Sequence, residues 1–332
     1  MSRLIDETPD AKSWVEQTLS VATKTRNLGR LGSGVIWTDG YLEDGEPIGG
    51  SDPSEIINEI QESGLPLLHQ HDPGCPVGRL INANSFTSPD GTLFVAAIMA
   101  FYEPNSVLNF ASLDINPFPE AKLPAILGLP RDARIQLAAD PRDVPHPWID
   151  ELSTDAPLSI ERMSLSLNDA NSLKELIHIA LPYAALLWNP LVMSIGEQAG
   201  KDIYEGVHQW LEMLWKKLKD LRDPILDIQA HHNECTVSFL FRGNDVEQHY
   251  AAHAALPAAT AQAAKLIDNF EQRNLVLKTL VYEFKQSRWI PSYGVLASGQ
   301  LVSDSNILIA HEQLPKELSI GRIRRKSKSR EH

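Results

Sequence analysis

The sequence predicts an α+β protein, on three observations. Short apolar runs of strand length, separated by Asp-Gly and Pro-Gly turns, fill the first hundred residues. Beyond about residue 172 the apolar spacing changes to i, i+3, i+4, the signature of amphipathic helices, with further strand-like runs between them. At 332 residues with 43% hydrophobic and 22% charged content, the chain is long and apolar enough for sizeable cores, which excludes a disordered or fibrous protein.

The elements follow in order. Residues 1–30 read as an amphipathic helical lead-in, with Trp14, Val15, Leu19 and Val21 among polar residues. Strands are expected at Ser33–Trp37, Pro66–His69, Gly78–Ile81 and Thr92–Phe101, and a helix at 53–63, where Ile56, Ile57 and Ile60 share one face and Ser54 is a suitable start. An antiparallel sheet over 33–101 with this helix packed on it is therefore predicted. Residues 112–158 carry eight prolines among acidic residues and are expected as loop, short strands and turns, because proline fixes φ and removes a backbone donor. A strand over Leu158–Leu167 follows. Then come a helix over Gly196–Leu221, a hairpin of Pro224–Ala230 and Cys235–Arg242 turned at His232-Asn-Glu234, and an alanine-rich helix over Pro257–Phe270. Strands at Leu275–Phe284, Gly294–Leu301 and Ile307–Ala310 complete the pattern. The expected organisation is a helical lead-in (1–30), a β-rich domain (31–171) with a proline-rich insertion (112–158), a smaller α+β interaction domain (172–315) and a basic tail (316–332).

Charge and cysteine usage bound the function. A net charge of −13 disfavours a general phosphate-binding surface, so nucleic-acid contact is expected only through the tail. Cys75 and Cys235 form neither a disulfide framework nor a Cys-x-x-Cys zinc site. No apolar leader opens the chain, so the cytoplasm is the expected compartment. The uncharged stretch 176–195 has the length of a membrane span, but Pro182, Asn189 and Pro190 interrupt it, so a buried core helix or helix pair is expected instead. Neither phosphate-binding glycine motif occurs, and no cofactor is expected.

The sharpest local pattern is Leu67-Leu-His-Gln-His-Asp-Pro-Gly-Cys-Pro-Val-Gly-Arg-Leu80. On a strand, His69 and His71 point to the same side, and Asp72-Pro-Gly74 then turns the chain. A histidine held rigidly at a strand end is well placed as a general base. The plain structural reading is that Asp72 starts the turn by accepting from its own backbone. Three other groupings are weighed. His69, His71 and Asp72 have the composition of a zinc hydrolase's ligands, but a further ligand is not in view. His231, His232 and Cys235 read as a polar hairpin loop, and His249 with His253 as a solvated helix face. Trp210 and Trp215 lie on the apolar stripe of the 196–221 helix and read as core.

Over residues 30–170 the order of features resembles the phage prohead (capsid maturation) serine proteases. The resemblance rests on Leu67, Leu68, His71, Asp72, Pro76, Val77, Gly78 and Arg79, then Asp90-Gly-Thr-Leu-Phe-Val95. It implies a serine peptidase in which His71 is the base and Met163-Ser-Leu-Ser-Leu167 supplies the nucleophile, Ser164 ahead of Ser166. Asp72 and Glu161 are both candidates for the orienting third residue. The chain departs from that family in lacking Gly-Phe after Ser164 and in the insertion at 112–158. The alternatives are a catalytically silent binding or assembly protein and, third, a metal-dependent hydrolase. The expected partner is a protein substrate or partner, a second copy of the chain included.

Overall fold

The computed structural model describes residues 3–24, 29–40, 52–69, 72–103, 106–121, 134–139, 144–164, 175–181 and 198–304. His71, Ser166, the expected strand at 307–310 and the basic tail lie outside these residues. The described chain is α+β, built on a four-stranded and a nine-stranded sheet.

The first sheet takes the order β1 (Arg30–Thr38), β4 (Leu93–Phe101), β3 (Pro76–Thr87), β2 (Leu65–Leu68), and every neighbouring pair is antiparallel. This is the sheet predicted over 33–101. Helix α3 (Pro53–Ser63) starts where Asp52 accepts from the Ser54 N–H at 2.9 Å, so the cap is two positions earlier than the expected Ser54. It lays Ile56, Ile57 and Ile60 against Trp37, Leu80, Ala83 and Met99 on one face of the sheet. Helices α1 (Arg3–Glu7) and α2 (Pro9–Ala22) cover the other face, packing Leu4, Ile5, Ala11 and Val15 on Val35, Phe94, Ala96 and Ile98. With helices on both sides, β4 reads Leu-Phe-Val-Ala-Ala-Ile-Met-Ala-Phe, an unbroken apolar run rather than an alternation.

The nine strands of the second sheet run β5 (Val107–Leu108), β13 (Leu301–Val302), β12 (Arg288–Leu296), β11 (Leu277–Lys285), β10 (Cys235–Arg242), β9 (Pro224–His232), β8 (Glu175–Leu181), β6 (Arg134–Ala139), β7 (Ser159–Ser164). Three parallel pairs, β6–β7, β8–β9 and β10–β11, are joined through α4 (His146–Thr154), α5 (Gln198–Leu218) and α6 (Val246–Glu271). Parallel neighbours require such crossovers, and all three helices pack on the same face. Their core is aromatic: Trp215 is fully buried and stacks on Phe241 with ring centroids 4.3 Å apart. Indole N–H groups close the seams, Trp210 donating to the Leu152 carbonyl at 2.9 Å and Trp289 to that of Ala252 at 2.9 Å.

Five sequence expectations are corrected here. The two sheets part between Phe101 and Val107, not near residue 171, because β5, β6 and β7 all pair into the second sheet, which is thereby the larger of the two. The proline-rich stretch contains β6 and α4; Pro147 stands in the first turn of α4, where a missing N–H costs nothing. Helix α6 starts at Val246, eleven residues before the expected Pro257. Asp245 caps it through the N–H groups of Glu247 and Gln248, and the helix carries Pro257 in its interior. His249 and His253 are consequently buried, 1% and 8% exposed, not a solvated face. Of the apolar stretch 176–195, the described part is strand β8 and not the expected core helix; among the described residues no helix is long and apolar enough to cross a membrane.

Candidate functional site at the junction of the two sheets

The patterned segment leaves β2 before its histidines. The strand ends at Leu68, the His69 N–H donates to the Cys75 carbonyl at 2.9 Å, and the Asp72 N–H donates to the His69 carbonyl at 3.0 Å. His69 therefore belongs to a closed turn and not to an extended strand. Asp72 is 2% exposed and lies over the middle of the second sheet, on the face opposite α4, α5 and α6. As expected of a turn-starting aspartate, it accepts from the Gly74 N–H at 2.9 Å. It also takes both terminal nitrogens of Arg242 at 2.7 and 2.9 Å, a bidentate pair. Arg242 turns its remaining donors to Glu283 at 2.8 and 3.0 Å, and Lys285 pairs with that carboxylate in turn. Burial works against the Arg242 cation, but the hydrogen bonds and charge of Asp72, followed by those of Glu283, hold it above its ordinary value.

The rest of the motif serves the same contact. The Tyr293 hydroxyl donates to the Pro73 carbonyl at 2.6 Å. Burial raises the Tyr293 phenol well above its ordinary value and pushes the neighbouring Tyr102 up to about 12, so both stay neutral. A Cβ at Gly74 would stand 2.1 Å from Arg242 Nη2 and 2.6 Å from Glu283 Oε1, which is why this position has no side chain. At Gly78 a Cβ would meet the Ala100 carbonyl oxygen at 2.4 Å, so the glycine of Pro-Val-Gly-Arg lets β3 and β4 approach. Arg79 reaches across to the Ser298 carbonyl at 3.0 Å.

Ser164 is the last residue of β7, at the far edge of the second sheet. Its backbone is level with Ala139, Ile177, Leu226 and Phe241 on successive strands. Four strand spacings separate it from Phe241, the neighbour of Arg242, or about 19 Å at the usual spacing. The structure thus brings Asp72 to Arg242 and does not bring it to Ser164. Glu161, the other candidate orienter, is exposed on β7 and accepts from Gln136 at 3.3 Å.

A second polar cluster on the same sheet face escaped the sequence reading. Asp227 of β9, 2% exposed, accepts from Gln229 at 2.8 Å and from the Ser238 hydroxyl, and lies 3.2 Å from Nδ1 of His178 on β8. A buried carboxylate with three such neighbours fixes Nδ1 as the N–H of His178 and leaves Nε2 as the basic nitrogen. The order is serine–aspartate–histidine, however. The Ser238 hydroxyl donates its hydrogen bond to the carboxylate, whereas a nucleophilic serine needs the imidazole as acceptor. The three residues come from three strands and share no local motif. Their one sequence signal is a polar side chain inside an apolar run, as in Ile225-Leu-Asp-Ile228 and Leu176-Ile-His-Ile179.

The other proposed ligand groups do not converge. Cys235 is 1% exposed on the helix side of the sheet, and burial pushes its thiol up to about 12, while His231 lies exposed on the adjacent strand. Among the described residues no three His, Cys, Asp or Glu side chains are grouped to hold a metal ion. Comparison with family models, curated proteins and solved structures gives no match.

Proposed function

We propose that the chain acts as a protein-binding or assembly protein in which the 72–75 turn couples two sheets, and not through a serine–histidine pair. One observation supports this reading: the Asp72 carboxylate is held by Arg242 and Gly74 at the sheet junction, four strands from Ser164. A carboxylate orienting a catalytic imidazole has to lie within reach of the nucleophile that the imidazole serves. A fluorophosphonate probe, which labels activated serines, separates this reading from a peptidase. The folded wild-type chain is expected to remain unlabelled. Stoichiometric labelling that disappears equally in Ser164→Ala and His71→Ala would overturn the proposal, because paired catalytic residues act as a unit.

A second reading is favoured by the His178–Asp227 contact: a hydrolase in which His178 Nε2 serves as general base. On this reading a hydrolytic activity is abolished by His178→Ala and survives Ser164→Ala.

A further inference from the structure

Three imidazoles lie in the seam between α5 and α6. Nδ1 of His208, on α5, stands 2.6 Å from Nε2 of His253 on α6, with ring planes 26° apart and centroids separated by 4.7 Å. His249 lies one turn earlier on α6 and is 1% exposed, its Nε2 3.4 Å from the Arg242 carbonyl. Trp215 of α5 touches both α6 rings, with centroids 5.8 Å away in each case, and Phe241 of β10 completes the wall at 6.0 Å from His249. Among the described residues, the charged groups acting on the cluster include Glu212 of α5 on His253 and Asp245 of α6 on His249, both exposed at the rim, with Glu205 exposed one turn before His208.

A nitrogen–nitrogen distance of 2.6 Å has room for one hydrogen. Two neutral imidazoles satisfy it, one donating and one accepting, and so does a pair carrying a single extra proton. When both rings are cationic, each facing nitrogen bears its own hydrogen, and the contact cannot exist. We propose that the His208–His253 contact is a proton-operated release between α5 and α6: one shared hydrogen holds the helices together, and a second proton parts them.

The electrostatics run the same way. Burial lowers His253 and His249 below their ordinary value, and the nearby carboxylates offset this only in part. A histidine whose pKa is depressed in the closed state stabilises that state fully above its ordinary value, near 6.5. That stability is lost as pH falls below it, because the opened state binds the proton first. Each proton bound only on opening raises the opening equilibrium constant tenfold per pH unit.

Hydrogen–deuterium exchange of the intact chain, corrected for the intrinsic pH dependence of exchange, tests the release. Between pH 7.5 and 5, protection of peptides from 203–218 and 246–271 is expected to fall at least tenfold per pH unit below about 6. Protection of β3 and β4 in the first sheet should hold. In His253→Gln, whose side-chain amide donates to His208 without titrating, the fall should be at most half as steep on a logarithmic scale. Equal protection at both pH values, loss spread evenly over both sheets, or an unchanged fall in His253→Gln would each overturn the proposal. Should that variant fail to fold at pH 7.5, the ring proton signals of the wild type decide. Coupled titration of His208 and His253 below the ordinary range supports the release, and two independent titrations near 6.5 refute it.

Discussion

The two sheets solve the problem of covering a β-sheet in different ways. The four-stranded sheet is sealed on both faces by helices, and its central strand β4 is apolar on both sides. Among the described residues, the nine-stranded sheet has helices on one face only. Its other face carries Asp227, Ser238, Arg242, Glu283 and Tyr293, and the 72–75 turn of the first sheet is pressed onto it. The sealed sheet gains from burying apolar surface, which is undirected. The half-covered sheet holds its cover by charged and hydrogen-bonded contacts, which are directional and costly to leave unpaired, set beside a small apolar cluster of Tyr102, Leu240, Val281, Tyr293 and Leu301. Chemistry and binding are therefore to be sought on the second sheet's open face, although the motif that drew attention belongs to the first.

Arg242→Met should test this contrast most severely. It leaves the Asp72 and Glu283 side chains, 3% and 9% exposed, without their shared cation. Loss of one partner from a buried pair costs about 3–5 kcal/mol, and the one-third exposure of Arg242 places the expectation near the lower end. Urea denaturation measures it. A loss below about 1 kcal/mol would mean that the junction is held by its apolar contacts, like the first sheet.

Gly74→Ala comes next. The added methyl has to displace two atoms that an ion pair already fixes, and overpacking of this kind costs about 1–3 kcal/mol. A variant as stable as the wild type would show that the turn rides loosely on the sheet.

Much of the first sheet was legible because its signals are local: Ile56, Ile57 and Ile60 at helical spacing, and the Pro89-Asp-Gly91 turn between β3 and β4. The second sheet hid its extent, because β6 and β7 sit in a proline-rich stretch and pair with strands far along the chain. Pro257 concealed the start of α6, since a proline that opens a helix and one tolerated inside it look alike in sequence. Misreading that boundary in turn misplaced His249 and His253. At the candidate site, the turn-forming role of Asp72 was readable from Asp-Pro-Gly. Its partner was not, because Arg242 lies 170 residues away and nothing local to either residue announces the other.

Asp227→Asn probes the other polar cluster on the open face. The asparagine oxygen still accepts one hydrogen bond, but its NH2 then faces donors from its former neighbours, so a loss of about 1–2 kcal/mol is expected. The readout that separates positioning from packing is the tautomer of His178, visible in its ring nitrogen shifts. The Nδ1–H form should give way in Asp227→Asn and persist in Ser238→Ala.

The smallest expected effect is a coupling, and it asks whether the turn and the sheet form one unit. The strain of Gly74→Ala comes from Arg242 Nη2 and Glu283 Oε1, which are held in place by each other. In an Arg242→Met background the guanidinium is gone and Glu283 is free to swing away, so the same methyl should cost less. Contacting residues couple by about 0.5–3 kcal/mol, and here about 1 kcal/mol is expected, with the double variant more stable than the sum of the single losses predicts. Strict additivity would separate the crowding at Gly74 from the ion pair. The inter-sheet contact would then consist of two independent parts, and the claim that the motif acts as a single plug would fall.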